Sequence, residues 1–309
     1  MQLLLGVVLF SWLIHSVLFI PFIQLLYSLR LQRLKQVTRD MFNKRTPFFD
    51  KFHHHKAGTP VGGGLLIIAI TTILLPIILL LMYYFWIPIT SVYPLGSEVK
   101  ILLFTFISFG LLGLLDDAKK TFAWVKKGFF GLRLRHKLIL EIVLACIVGF
   151  WLVHDLKISI LHIPLLGVFH LGWWYIPFAV FVIIAFANAF NITDGLDGLS
   201  AGVLVIALFA FWFLSASILD TVLSIFIALW IGGMLAFLYF NVLPSRIFLG
   251  DVGALSFGAT FAVVGLILGK TPALVIIGGI FVLEVTSSLI QLVAKSLTGR
   301  KLFMAAPLH

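Results

Sequence analysis

The stretch "FANAFNITDGLDGLSAG", Phe186 to Gly202, sets Asn188, Asn191, Asp194 and Asp197 between long apolar runs. Two other stretches do the same. "GLLGLLDDAKK" places Asp116 and Asp117 ahead of Lys119 and Lys120, and "NVLPSRIFLGDVGAL" contains Asn241, Gly250 and Asp251. Carboxylates, amides and lysines gathered in this way suit a divalent cation that holds a diphosphate. Mg²⁺ takes oxygen ligands and commonly bridges one or two carboxylates to substrate phosphates, while lysines neutralise the remaining charge.

Each stretch also has a plainer reading. Asp116 and Asp117 could be solvated acids answered by Lys119 and Lys120, but they are placed to end a helix, where the dipole disfavours acids. Asp194 could N-cap the following helix with Asp197 in its first turn, and Asp251 could be a lone cap. Capping leaves Asn188 and Asn191 unexplained. At three-residue steps they would share one polar stripe with Asp194 and Asp197, although Gly195 and Gly198 make a continuous helix doubtful and allow backbone to approach a ligand.

The elements that must position these groups are membrane spans. The chain has 309 residues, 61% hydrophobic and 11% charged, with 31 phenylalanines and a mean hydropathy of +1.16. Apolar stretches at 2–27, 61–86, 101–115, 138–153, 172–190, 199–217, 221–240, 253–269 and 273–294 predict an all-α polytopic integral membrane protein of nine spans. Little is left for a soluble domain, and 1–309 reads as one transmembrane domain. The first stretch lacks a basic leader and a small-residue cleavage site and is followed by Arg30, Arg33 and Lys35, so it is expected to be retained.

With the N-terminus outside, the segments 28–60, 116–137, 241–252 and 295–309 hold 8, 7, 1 and 3 Lys/Arg, 19 of the chain's 22. This positive-inside bias orients the protein and puts Asp116, Asp117, Asp194, Asp197 and Asp251 on the cytosolic side at one depth. Acids at such a depth are costly unless paired, metal-bound or wet. The net charge of +10 is then mostly topological and gives no reason to expect nucleic acid. Cys146 is the single cysteine and lies in a span, so no disulfide forms within the chain.

A fourth stretch, "HHHKAGTPVGGG", opens the second span. Three adjacent histidines are not the spacing of a helical zinc motif, and a solvated loop is the expectation for His54 and His55. Lys56, Thr59 and Gly62 to Gly64 resemble a phosphate-binding loop in kind without matching a nucleotide-binding pattern.

Lys56 with "GTPxxGG", "DDxxK" at Asp116, Asp117 and Lys120, "NxxNxTDGLDGL" and "FLGDVG" occur in the order seen in polyprenyl-phosphate N-acetylhexosamine-1-phosphate transferases. The chain resembles that superfamily over nearly its whole length. Its ending, "EVTSSLIQLVAKSLTGRKLFMAAPLH", resembles the phospho-N-acetylmuramoyl-pentapeptide transferase branch. The resemblance implies a bacterial inner-membrane enzyme of peptidoglycan synthesis with a cytosolic site. Such an enzyme moves phospho-MurNAc-pentapeptide from its UDP donor to undecaprenyl phosphate with Mg²⁺, giving lipid I and UMP, and it leaves room for a homodimer.

Carried over by position, the resemblance makes Asp116, Asp117 and Asp251 catalytic, with Asp251, Asp117 and Asn191 as metal ligands. It assigns Lys56, Thr59, Lys120 and Lys137 to phosphates, and Asn191, Asp194 and Asp197, helped by Asn188 and Asn241, to uridine or diphosphate. His53 matches a histidine of the branch. Val61-Gly62 stands where the branch carries Thr-Met, and Ala254 where it carries Ser. His309 falls on the first histidine of the branch's triplet, so a truncated C-terminus lacking a tenth span is the expectation. A UDP-GlcNAc-dependent transferase is the alternative within the class. An ion-coupled transporter is the alternative outside it, and it would place its acids near the midplane, whereas only Glu141 and Glu284 lie within spans and the others crowd one face.

Overall fold

The computed structural model describes residues 2–32, 58–121, 132, 134–298 and 302–303. Among them nine helices are long and apolar enough to cross a membrane. In chain order the helices are α1 (Gln2–Ser28), α2 (Gly63–Tyr84), α3 (Leu95–Thr121), α4 (Leu134–His154), α5 (Tyr175–Thr193), α6 (Leu199–Ser217), α7 (Thr221–Asn241), α8 (Gly250–Ile267), α9 (Thr271–Ile277) and α10 (Gly279–Thr298). A small antiparallel hairpin, β1 (Ile160–Ile163) with β2 (Gly167–His170), follows α4, with Ile160 opposite His170.

Two helices form the centre. Within their most apolar windows α8 is 94% buried and α7 83%, whereas α1 is 28% and α10 17% buried. The peripheral helices therefore keep apolar faces for lipid. Lipid tails are as apolar as leucine, so association depends on close packing and small residues rather than on hiding surface from water. Gly113 of α3 shows this: a Cβ there would come within 2.1 Å of the Asp251 carbonyl oxygen, so α3 and α8 touch backbone to backbone. Farther along the same contact, Phe106 stacks on Phe257 with ring centroids 5.6 Å apart, and Trp230 of α7 lies 5.3 Å from both rings.

The expected spans are present, with two differences that bear on function. The third does not stop at residue 115. It runs to Thr121, with Lys119 and Lys120 in its last turn. Asp116 and Asp117 therefore lie inside the helix and basic residues occupy its negative end, as the dipole favours. The apolar stretch 273–294 is not one helix but α9 and α10, broken at Gly278. A Cβ on Gly278 would meet the Phe186 ring at 2.7 Å and the Leu274 carbonyl oxygen at 2.8 Å, so the chain bends where it presses on α5.

The entrances of α2 and α8 are tied together at one end of the bundle. Phe248 N–H donates to Pro60 O (2.9 Å), Gly62 and Gly63 N–H donate to Phe248 O (3.1 and 2.9 Å), and Gly64 N–H donates to Leu249 O (3.0 Å). Two helix N-termini therefore meet beside the end of α3.

Candidate active site

The last turns of α3 bring Asp116, Asp117 and Lys120 to the first turns of α4 and α8, which supply Lys137 and Asp251. The four side chains Asp116, Asp251, Lys120 and Lys137 close a ring of charge. Lys120 Nζ lies 3.1 Å from Asp116 Oδ2 and 2.8 Å from Asp251 Oδ2, and Lys137 Nζ lies 3.2 and 2.8 Å from the same two oxygens. Asp116 is 3% exposed and Asp117 7%. They are not solvated surface acids, since each charge is answered inside the protein. The other oxygen of Asp116 accepts the Leu132 N–H at 2.7 Å, which draws the chain entering α4 onto the site.

Asp117 turns the other way. Its Oδ2 accepts the Val252 N–H at 3.0 Å, so α3 supplies a carboxylate to the N-terminus of α8, where orphan amides and the helix dipole favour an anion. Gly250 makes room, with φ at +79° and space in which a Cβ would stand 2.6 Å from that carboxylate oxygen. Asp251 is accordingly not the cap of α8. The cap position is Leu249, and Asp251 lies in the first helical turn facing the two lysines.

The amide stretch divides between helix and turn. Asn188 and Asn191 are on α5, which ends at Thr193 with Asp194 as its C-cap residue. The polar stripe does not extend through 194 and 197, because the chain leaves the helix before Gly195. Nor does Asp194 N-cap the next helix. That position is Gly198, at φ +77°, and Asp194 Oδ1 instead accepts the Ser200 hydroxyl. Asn241, from the end of α7, serves the new helix by accepting the Gly198 N–H at 3.0 Å. Its amide nitrogen donates to Ile247 O at 2.9 Å. Asn241 is 3% exposed, and both ends of its amide are bonded to backbone, so it holds two turns in place. Asp197 and Asn191 are both half-buried beside this turn.

One residue of this neighbourhood was named from the sequence only as an acid within a span, not as part of the site. Glu141 lies one helical turn after Lys137 on α4, is 1% exposed, and accepts the Asn188 amide at 2.6 Å. It ties α4, which carries Lys137, to α5, which carries the amides. The signal was available as a Lys and Glu four residues apart at a span's entrance. Thr59 is buried at 8% exposure, and the Gly62 to Gly64 amides that a phosphate loop would offer are spent on Phe248 and Leu249. Lys56, His53, His54, His55 and His309 lie outside the described residues.

No group of three His, Cys, Asp or Glu side chains among the described residues forms a ready cage for a metal. The donors nevertheless suit Mg²⁺, which is usually held by one or two carboxylates with substrate phosphates completing its shell. Asp116 Oδ2 and Asp251 Oδ2 already converge on shared positive charge.

Comparison with known proteins leads to the same place. The profile of "Glycosyl transferase family 4" matches residues 99–269, a segment that contains Asp116, Asp117, Lys120, Lys137, the amide stretch and Asp251. The chain is also 38% identical, over 218 residues, to the phospho-N-acetylmuramoyl-pentapeptide-transferase of Bacillus thuringiensis (strain Al Hakam). It is equally similar to those of Bacillus cereus strains AH187 and G9842. In each case the match covers 70% of this chain and 66% of the relative, so it spans just under two thirds of the relatives' length. With more than half of its residues inside the profile and its charged ring within them, the chain belongs to glycosyl transferase family 4.

Proposed function

We propose that the protein transfers phospho-MurNAc-pentapeptide from UDP-MurNAc-pentapeptide to undecaprenyl phosphate, releasing UMP and making lipid I. The observation that carries the reading is the ring of Asp116, Asp251, Lys120 and Lys137 at the meeting point of α3, α4 and α8. Family membership and the names of the relatives support the choice of substrates.

The acceptor is a phosphate monoester with a second pKa of about 6, so it is mostly a dianion at neutral pH and hardly needs a base. Phosphoryl transfer then asks chiefly for alignment and charge neutralisation. An acceptor oxygen attacks the sugar-bearing phosphorus, a new P–O bond forms, and the bond to UMP breaks with the electron pair leaving on UMP. Lys120 and Lys137 supply two positive charges to the crowded phosphates. Asp116 or Asp117 orients the acceptor or completes the metal site. A Mg²⁺ held by Asp251, with Asp117 and Asn191 as further ligands, would screen the diphosphate charge. Asn188, Asp194, Asp197 and the turn that Asn241 holds face the donor nucleotide, with Lys56, Thr59 and His309 as further contacts.

The Lys/Arg bias supports a cytosolic site in the inner membrane, where the soluble donor is made and the lipid acceptor arrives through the bilayer. One experiment tests chemistry and orientation together. Inside-out vesicles containing undecaprenyl phosphate and Mg²⁺ should release UMP when UDP-MurNAc-pentapeptide is added, and right-side-out vesicles should not. UMP from UDP-GlcNAc alone would move the assignment to the other branch. Release from right-side-out vesicles alone would reverse the orientation.

A further inference from the structure

A second group of buried acids lies about 27 Å along α3 from Asp116, at the opposite end of the bundle. Glu98, in the first turn of α3, and Asp220, the N-cap residue of α7, both have 0% exposure. Each has one oxygen in ordinary use. Asp220 Oδ1 accepts the Leu223 N–H at 3.1 Å, and Glu98 Oε2 accepts the Ser91 hydroxyl at 2.6 Å. Their other oxygens, Asp220 Oδ2 and Glu98 Oε1, are buried without a donor among the described residues. The two carboxyls meet at one corner, because Ser91, whose hydroxyl reaches Glu98, follows Thr90, whose carbonyl accepts the Thr221 N–H next to Asp220.

Ionised carboxylates only accept, so two of them cannot bond to each other unless one keeps a proton. Two buried like charges at such range would also repel strongly. A single proton between them satisfies both oxygens and halves the charge. We propose that Glu98 and Asp220 share one proton, which locks the start of α3 to the start of α7.

The surroundings fit a lock. Thr221 N–H donates to Thr90 O at 2.8 Å, and the Thr90 and Thr221 hydroxyls lie 2.8 Å apart, so the 85–94 connection is stapled to the same corner. Tyr93 from that connection lies within electrostatic reach of both acids and donates to Ile267 O of α8 at 3.1 Å. Burial pushes the Asp220 carboxyl above the usual carboxylate range and the Tyr93 phenol above its own, so Tyr93 stays neutral. The lock joins the two helices whose far ends carry Asp116, Asp117 and Lys120 on α3 and Asn241 on α7.

Carboxyls of the unfolded chain ionise near pH 4. Between that pH and the release of the shared proton, the folded protein holds one proton more than the unfolded one. Stability is therefore greatest at low pH and falls as pH rises, by about tenfold in the folding equilibrium constant per pH unit.

The test is thermal unfolding of the full chain in detergent from acid to alkaline pH, beside Glu98→Gln and Asp220→Asn. Either amide supplies the N–H permanently, and Asn keeps the cap. The wild-type midpoint should fall with pH, and the variant curves should be flatter. Infrared spectra give a second reading that needs no stable variant: the wild type should show a protonated carboxyl band at neutral pH that persists while the midpoint falls and fades where the fall levels off. Three results would overturn the lock. These are parallel curves for the wild type and both variants, absence of the band, or wild-type stability that depends on added Na⁺ or Ca²⁺ at fixed pH, which would put a metal cation where the proton is proposed.

Discussion

Asp251→Asn is expected to lower turnover by about 10²–10³-fold while leaving the protein folded, a size in keeping with the loss of one electrostatic stabiliser or of metal-site support. The reason is in the charge balance of the ring. Asp116 and Asp251 face Lys120 and Lys137, and Asp117 stands beside them on the Val252 amide, so the folded site has one carboxylate more than its two ammonium groups. Removing Asp251's charge leaves two against two, and asparagine can still accept from the lysines. Val252's amide, which anchors the start of α8, is served by Asp117 and is untouched. Turnover measured with saturating donor and acceptor, beside a detergent unfolding curve, checks both halves. Near-normal turnover would remove Asp251 from the chemistry.

Lys137→Met should do the reverse, costing stability first. Its ammonium group is buried between Asp116 and Asp251, and its loss leaves both of them facing Lys120 alone. Breaking a buried pair by removing one partner typically costs about 3–5 kcal/mol. The unfolding midpoint should drop sharply, and activity at permissive temperature should fall as well, since one of the two positive charges offered to the phosphates is gone. The pair of variants forms a cycle. In an Asp251→Asn background the same lysine substitution should cost less, because one of the two charges it answered is already absent. Equal costs in both backgrounds would mean that Lys137 and Asp251 do not interact as the 2.8 Å contact indicates.

Much of this was legible in the amino-acid sequence. Long apolar runs dictate spans because a backbone in hydrocarbon must satisfy its own hydrogen bonds. Acids beside lysines at span ends stood out against an apolar background, so Asp116, Asp117, Lys120 and Asp251 could be singled out before any packing was known. What stayed hidden depends on helix-to-helix contact. The separate tasks of Asp116, which faces the lysines, and Asp117, which faces α8, follow from the angle at which α3 meets α8 across Gly113. Asn241 looked like a substrate contact because amides often are, but it is bonded to the backbone of Gly198 and Ile247, 43 and 6 residues away. The acid pair Glu98 and Asp220 is 122 residues apart in the chain and on no common motif, so only the folded bundle brings the two together.

The central claim is that acceptor and donor react directly on the charged ring, with no phospho-sugar left on an aspartate. The most direct measurement is a single-turnover reaction of lipid-free protein with UDP-MurNAc-pentapeptide and Mg²⁺, after co-purified acceptor has been extracted and assayed. Direct attack requires both substrates to be bound together, so no UMP should appear until undecaprenyl phosphate is added, and a burst should follow its addition. A covalent route would instead release UMP before any acceptor arrives. The account is contradicted if UMP forms in an amount equal to the enzyme without acceptor and the phospho-sugar is found on Asp116, Asp117 or Asp251.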